Sequence, residues 1–154
     1  MLNSKNVAFV VTDPQVEFLK PAGKGFGATK DILEKVNTID NLAKLFAVAK
    51  ERGYKRFISP HYFYPHDHKW QFKAAGETMM IENEMFWRDS QYSEIPEGSG
   101  ADMIEEIKPF MDEDTIVVNG HKIFGPESND LNLQLRKNGI DTVILAGMNA
   151  NLCV

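Results

Sequence analysis

Thr142-Val143-Ile144-Leu145-Ala146 is a run of apolar and β-branched residues, entered from Gly139-Ile140-Asp141 and left through Gly147. A run with no polar alternation reads as a strand buried on both faces, the kind found in parallel sheets. A short turn follows, Gly147-Met148-Asn149-Ala150-Asn151-Leu152, and then Cys153, the only cysteine of the chain. A thiol just past the carboxyl end of a parallel strand stands where α/β proteins assemble their sites.

Working back from this strand, similar short runs occur at residues 7–11, 56–59 and 115–118. Between the first two, residues 31–52 repeat apolar positions at three- and four-residue steps (Ile32, Val36, Ile39, Leu42, Phe46, Ala49), which predicts one amphipathic helix ended by Gly53. Residues 101–110 give a second helical pattern, and residues 129–138 a third with Gly139 as its stop signal. Strands alternating with helices predict βαβ units, whose right-handed crossovers put every strand's carboxyl end on one edge of the sheet. The fold expected is α/β: a three-layer αβα, doubly wound, Rossmann-like single domain over residues 1–154 with a mostly parallel sheet. The chain is also expected to be incomplete, truncated after the strand and elbow that carry Cys153, because a helix whose amino end sits under the sulfur would come next. Residues 61–100 are aromatic and Met-rich without a dominant period, a long connection of the kind that forms sites or subunit contacts.

Composition narrows the class. The chain has 154 residues, 43% hydrophobic and 25% charged, with a formal net charge of -5; this suits a globular domain and gives no basic tract able to track a phosphate backbone. Nucleic acid is not an expected partner. The apolar run after Met1-Leu2-Asn3-Ser4-Lys5-Asn6 is far too short to span a bilayer and lacks a signal peptide's long apolar region. With one cysteine and no internal disulfide, the expected compartment is the cytoplasm, with no membrane partner.

Three chemically useful residues follow predicted strands: Asp13, Lys122 and Cys153. If they converge, lysine's charge would lower the thiol pKa from about 8.5 by a few units and aspartate would carry the proton. Each also has an ordinary reading. Asp13 beside Pro14 suits a turn, Lys122 a solvated surface, and Cys153 a small buried hydrophobe.

The chain resembles the isochorismatase-like cysteine hydrolases, the family of nicotinamidases and related amidases. The likeness lies in Val10-Val11-Thr12-Asp13-Pro14-Gln15-Val16-Glu17-Phe18, in Lys122, in Ser128-Asn129-Asp130-Leu131 leading into a Leu-rich helix, and in Gly147 to Val154. It implies that Asp13 is the general base and acid, Lys122 the activating charge and Cys153 the nucleophile. It further implies a cis peptide at Met148-Asn149, with the N–H groups of Asn149 and Cys153 as the oxyanion hole. The implied reaction is hydrolysis of an amide or ureide-like C–N bond of a small molecule through a Cys thioester, with no organic cofactor. Nicotinamidases of this family bind a metal through an Asp and several His after the second strand, and the spacing here does not reproduce that set. His61, His66 and His68 are weak zinc candidates, more readily explained as loop or pocket histidines among aromatics, so no metal is expected. The aromatic stretch (Tyr62, Phe63, Tyr64, Trp70, Phe86, Trp87) fits either a substrate pocket or a subunit interface in a homo-oligomer. The competing reading is a non-catalytic binding or scaffold member of the same fold. A nucleotide-binding domain is set aside, since Gly23-Lys24-Gly25-Phe26-Gly27 has the wrong context for a phosphate loop.

Overall fold

Six consecutive residues, Val7–Thr12, form strand β1, and every one of them is buried. A strand with no polar alternation is stable only at the centre of a sheet covered on both faces, and β1 occupies that centre. It pairs in parallel with β2 (Lys55–Ser59) on one side and β4 (Thr142–Gly147) on the other, and β3 (Thr115–Val117) pairs in parallel with β2. The strand order is β3-β2-β1-β4. The chain thus steps outward from β1 and then crosses back to its far side, which places the topological switch point between β1 and β4. This computed structural model describes residues 4–124 and 128–154; Met1, Leu2 and Asn3 of the amino-terminal segment read above lie outside the described residues.

Alternate side chains of β1 feed two cores. Val7, Phe9 and Val11 pack with Leu42 and Phe46, the Phe9 and Phe46 rings meeting edge-on at 5.1 Å. Ala8 and Val10 pack on the other face with Phe57, Val118, Leu131 and Ile140. The α/β three-layer arrangement expected above is therefore present. Its helices are α1 (Val16–Leu19), α2 (Phe26–Lys35), α3 (Thr38–Glu51), α4 (Ala75–Glu82) and α5 (Leu131–Lys137).

Several elements differ from the sequence reading. The helix expected over residues 31–52 is two helices, because Asn37 adopts a left-handed φ of 51° between them, a conformation Asn tolerates better than most residues. Residues 101–110 form no α-helix; only Lys108–Phe110 makes a 3₁₀ turn. Their backbone is committed elsewhere: Ile104 N–H donates to Pro14 O, Val16 N–H to Asp102 O and Glu17 N–H to Gly100 O. The irregular stretch of residues 61–100 holds α4 and a 3₁₀ turn at Asp67–Lys69. Strand β4 is not buried on both faces: Val143 and Leu145 are 42% and 48% exposed, since α5 packs through Leu131 over Ala8, Val10 and Phe57 instead. Among the described residues no helix is long and apolar enough to cross a membrane.

One glycine controls the end of β4. Gly147 has φ +134°, and a Cβ there would lie 2.2 Å from Thr12 O and 2.6 Å from Thr12 N, both backbone atoms of β1. Gly147→Ala should destabilise the protein by about 3 kcal/mol or more, through an unfavourable φ and a backbone clash together. Gly27→Ala, inside α2 with open space at the Cβ position, should instead stabilise it by about 0.5–1 kcal/mol. Urea unfolding midpoints of the two variants check both signs.

Candidate active site

The carboxyl ends of the strands deliver polar side chains to one place. Asp13 follows β1 with a left-handed φ of 50°, and its N–H donates to Ser59 O at the end of β2 (3.0 Å). This pins the residue at the sheet edge with its carboxyl group turned inward and wholly buried. His61 follows β2, and the Gln15 side chain grips its backbone from both sides. Gln15 Nε2 donates to His61 O (3.0 Å), and His61 N–H donates to Gln15 Oε1 (2.8 Å). The second Nε2 hydrogen goes to Ala101 O (2.9 Å), so one buried amide joins the segments after β1 and β2 to the loop before β3.

His121 and Lys122 follow β3. His121 N–H donates to Pro60 O (2.8 Å), and its ring stacks on His61 with centroids 4.8 Å apart. Its Nε2 lies 2.6 Å from Asp13 Oδ1, with both side chains fully buried. His121 Nδ1 contacts Lys122 O, and a carbonyl can only accept. Nδ1 therefore carries a hydrogen, and Nε2 is the ring nitrogen that faces Asp13 Oδ1.

Past β4, Met148 N–H donates to Thr12 O (3.0 Å), seating the elbow on the end of β1. The Met148-Asn149 peptide is cis. Asn149 O then accepts the N–H groups of Leu152, Cys153 and Val154 (3.0, 3.0 and 3.3 Å), which curls the chain so that Cys153 is buried beside Asp13. One ligating atom from each of Asp13, His61 and Cys153 lies within 4.8 Å of the other two.

Asp13 and Cys153 thus meet, as expected, across the switch point between β1 and β4. Lys122 does not join them. Its Nζ donates to Asp67 Oδ2 (2.6 Å) and Tyr62 O (2.8 Å), and it lies over the rings of Tyr64, Phe63 and Trp70 at 4.8, 5.0 and 5.5 Å. The oxyanion donors divide as well: the Cys153 N–H is held by Asn149 O, whereas the Asn149 N–H has no partner among the described residues. The three histidines do not converge. His61 is buried; His66 is exposed, stacked on Tyr64 with Nε2 3.3 Å from Asp67 Oδ1; His68 stands edge-on to Trp87. They do not make one metal site.

Burial dominates the electrostatics. It pushes the Asp13 carboxyl above the ordinary carboxylate range, with the His121 contact and then the Cys153 thiol pulling the other way. Burial, and then the neighbouring charge of Asp13, push the Cys153 thiol up to about 12, against the hydrogen bond to Asn149. The thiolate-stabilising effect expected of Lys122 is absent here because its ammonium faces Asp67. Burial holds His61 well below its usual range, so its ring is neutral at pH 7, and burial also lowers Lys122, with Asp67 opposing it. His121 and the clamping role of Gln15 were not anticipated from residue types. The signals were the Asp-x-Gln spacing after β1 and the position of His121 beside Lys122 after β3.

The isochorismatase domain model matches residues 7–154. The chain belongs to this family. No curated protein matches it at the level required. Among solved structures, N-carbamoylsarcosine amidase from Thermoplasma acidophilum is 25% identical with a TM-score of 0.68, over 97% of this chain and 71% of that one. An isochorismatase family protein from Desulfovibrio vulgaris has 16% identity and a TM-score of 0.72, over 97% and 70%. A zinc complex of pyrazinamidase from Pyrococcus horikoshii has 18% identity and a TM-score of 0.62, over 97% and 74%.

The raised pKa values of Asp13 and Cys153 carry a stability signature. Above the ordinary cysteine value of 9.0 the unfolded chain releases its thiol proton while the folded chain keeps it up to about 12, so stability falls as pH rises through that window. Thermal midpoints of the wild type should decline across that window, and Cys153→Ala should flatten the decline. Asp13→Asn should remove a second downward slope that begins above the ordinary carboxylate value of 3.8.

Proposed function

We propose that the chain is a cysteine hydrolase domain that cleaves a C–N bond, amide or ureide-like, of a small molecule through a thioester on Cys153. The observation that carries this reading is the buried meeting of Asp13 and Cys153 at the switch point, with His121 fixing the carboxyl group. Asp13 takes the thiol proton, and the sulfur attacks the substrate carbonyl carbon. The Asn149 N–H, free of any internal acceptor among the described residues, donates to the tetrahedral oxyanion. Collapse expels the amine, which leaves with the proton returned by Asp13. Water then enters, loses a proton to Asp13 and cleaves the thioester, which restores the thiol.

Proton transfer from a thiol pushed to about 12 needs a nearby positive charge. Lys122 is close enough for its charge to depress the His61 ring, and exchanging Asp67 for the Asp13–Cys153 pair as its partner would supply that charge when substrate binds. The 25% identity to an N-carbamoylsarcosine amidase supports the C–N assignment. A scaffold without turnover is the second reading, favoured by the same high thiol pKa and by the Lys122–Asp67 pair.

The protein should be incubated with a panel of small N-carbamoyl and carboxamide compounds, with ammonia or amine release measured and Cys153 acylation followed by mass spectrometry. Turnover with a transient mass adduct on Cys153 is expected. Cys153→Ser should lower kcat by about 10³-fold or more, and Asp13→Asn by about 10²–10⁴-fold. Undiminished turnover in Cys153→Ser would sink the reading. A wild type inert to the whole panel, with Cys153 alkylated by iodoacetamide at the same slow rate with and without Lys122→Ala, would favour the scaffold.

A further inference from the structure

His61 is the buried group for which the hydrolytic steps above have no use. Its ring is completely buried, and neither Nδ1 nor Nε2 has a hydrogen-bond partner among the described residues. Its ring faces are covered, with Phe86 stacked at 4.6 Å, His121 at 4.8 Å and Phe63 tilted at 4.7 Å. Gln15 fixes its backbone through two hydrogen bonds. An imidazole held this firmly with both nitrogens unpaired is anomalous, because buried polar groups are ordinarily satisfied. A second unpaired atom lies in the same cluster: Asp13 Oδ2 is buried and makes no hydrogen bond of regular geometry among the described residues. The third member is the Cys153 sulfur, and the three residues bring one nitrogen, one oxygen and one sulfur within 4.8 Å of one another.

We infer that Asp13, His61 and Cys153 form a capture site for a thiophilic divalent cation of the zinc type, and that an ion bound there shuts the nucleophile off. The donor set is a mixed N, O, S group of the kind such ions select. Around a tetrahedral zinc with bonds of about 2.0–2.3 Å the donors stand roughly 3.3–3.7 Å apart, so the cluster has to contract by about 1 Å. Cys153 lies in the turn after β4, where such a movement strains the hydrogen bonds that Leu152, Cys153 and Val154 make to Asn149 O. The charges also suit the ion: a carboxylate and a thiolate with a neutral imidazole balance a doubly charged cation inside a buried site. The fourth position falls to water, because His121 Nε2 is engaged with Asp13 Oδ1. This set shares only His61 with the His61, His66 and His68 group, whose members point to different places. With its sulfur lone pair on the ion and Asp13 coordinated, Cys153 has neither nucleophilicity nor base. That last clause rests on the proposed hydrolysis; the binding site itself does not.

The protein should be titrated with Co²⁺ and, separately, with Zn²⁺. One equivalent of Co²⁺ is expected to give sulfur-to-cobalt charge-transfer absorption in the near ultraviolet and intense tetrahedral bands in the visible. X-ray absorption at the zinc edge should read one sulfur, one imidazole and oxygen neighbours in the wild type, a measurement that needs no variant to fold. His61→Phe and His61→Gln should each weaken binding by about 100-fold or more, the upper end of what losing even a supporting contact does, whereas His66→Ala should leave it unchanged. No charge-transfer band, a zinc shell lacking imidazole, or equal affinity in folded His61→Phe protein would each overturn the site. Loss of any hydrolysis on adding Zn²⁺ and its return with a chelator would support the shut-off; a loaded site with undiminished hydrolysis would overturn the shut-off alone. A site confirmed by absorption in a protein that hydrolyses nothing would leave the coordination standing and remove only the hydrolase reading.

Discussion

A carboxyl group with no exposed surface must be compensated from within, and the way Asp13 is compensated organises the whole edge of the sheet. His121 approaches Asp13 Oδ1 from the end of β3, although β2 lies between their strands. That reach is possible because the segments after β2 and β3 run on together past the sheet, through the His61–His121 bridge and the His121 N–H to Pro60 O bond. Gln15 then ties the segment after β2 to the one after β1. The three chain crossings are thereby locked to one another by buried polar contacts, and only the β4 elbow is left to be set by Gly147 and the Thr12 carbonyl. Removing one member of such a network strands the others in an apolar setting, where each unpaired group costs about 1–3 kcal/mol.

The same burial that fixes the geometry sets the chemistry against itself. Burial favours the protonated form of each of two acids set side by side, so it opposes loss of the Cys153 thiol proton. The cation that follows β3 at the same sheet edge is Lys122, and it has an alternative: a carboxylate, a carbonyl and three aromatic rings converge on its ammonium. Asp67 is itself 1% exposed and would be a buried unpaired charge without Lys122. In the hydrolysis proposed above, the competition between two buried carboxyl groups for one ammonium is the variable on which thiolate formation would turn. Under that proposal, a substrate that approaches Asp67 would change the balance without any large movement of the backbone.

How much of this could be read from residues alone follows from the range of the forces involved. Strands β1 and β4 were legible because hydrophobic runs depend on burial, which the residues themselves report. The meeting of Asp13 and Cys153 was legible because strand direction and crossover handedness carry both to one edge. The helix break at Asn37 was hidden within an unbroken apolar period: the residues on either side face the same core, so periodicity continued through a change of backbone. Residues 101–110 misled for the opposite reason. Their helical spacing is real, but their backbone partners are Pro14 and the turn after β1, more than 80 positions away in sequence. Lys122 was placed at the correct edge yet given the wrong neighbour, since only three-dimensional packing shows that Asp67 and the aromatic rings reach it first. His61, one residue among several histidines in an irregular stretch, carried no local mark of its burial.

The His61 imidazole also bears on how tightly this edge can be built. A fold that needed only to fill space between Phe63, Phe86 and His121 would be better served by a third carbocyclic ring, which buries no unpaired nitrogen. Phe is close to His in shape and stacks on the same neighbours, and the backbone clamp from Gln15 uses only main-chain atoms of residue 61, so it would survive the exchange. Packing therefore does not demand histidine here, and hydrogen bonding does not reward it. What distinguishes imidazole from benzene at that spot is its pair of lone-pair or proton-bearing nitrogens, one of which lies within 4.8 Å of ligating atoms of both Asp13 and Cys153, which is a chemical property and not a structural one.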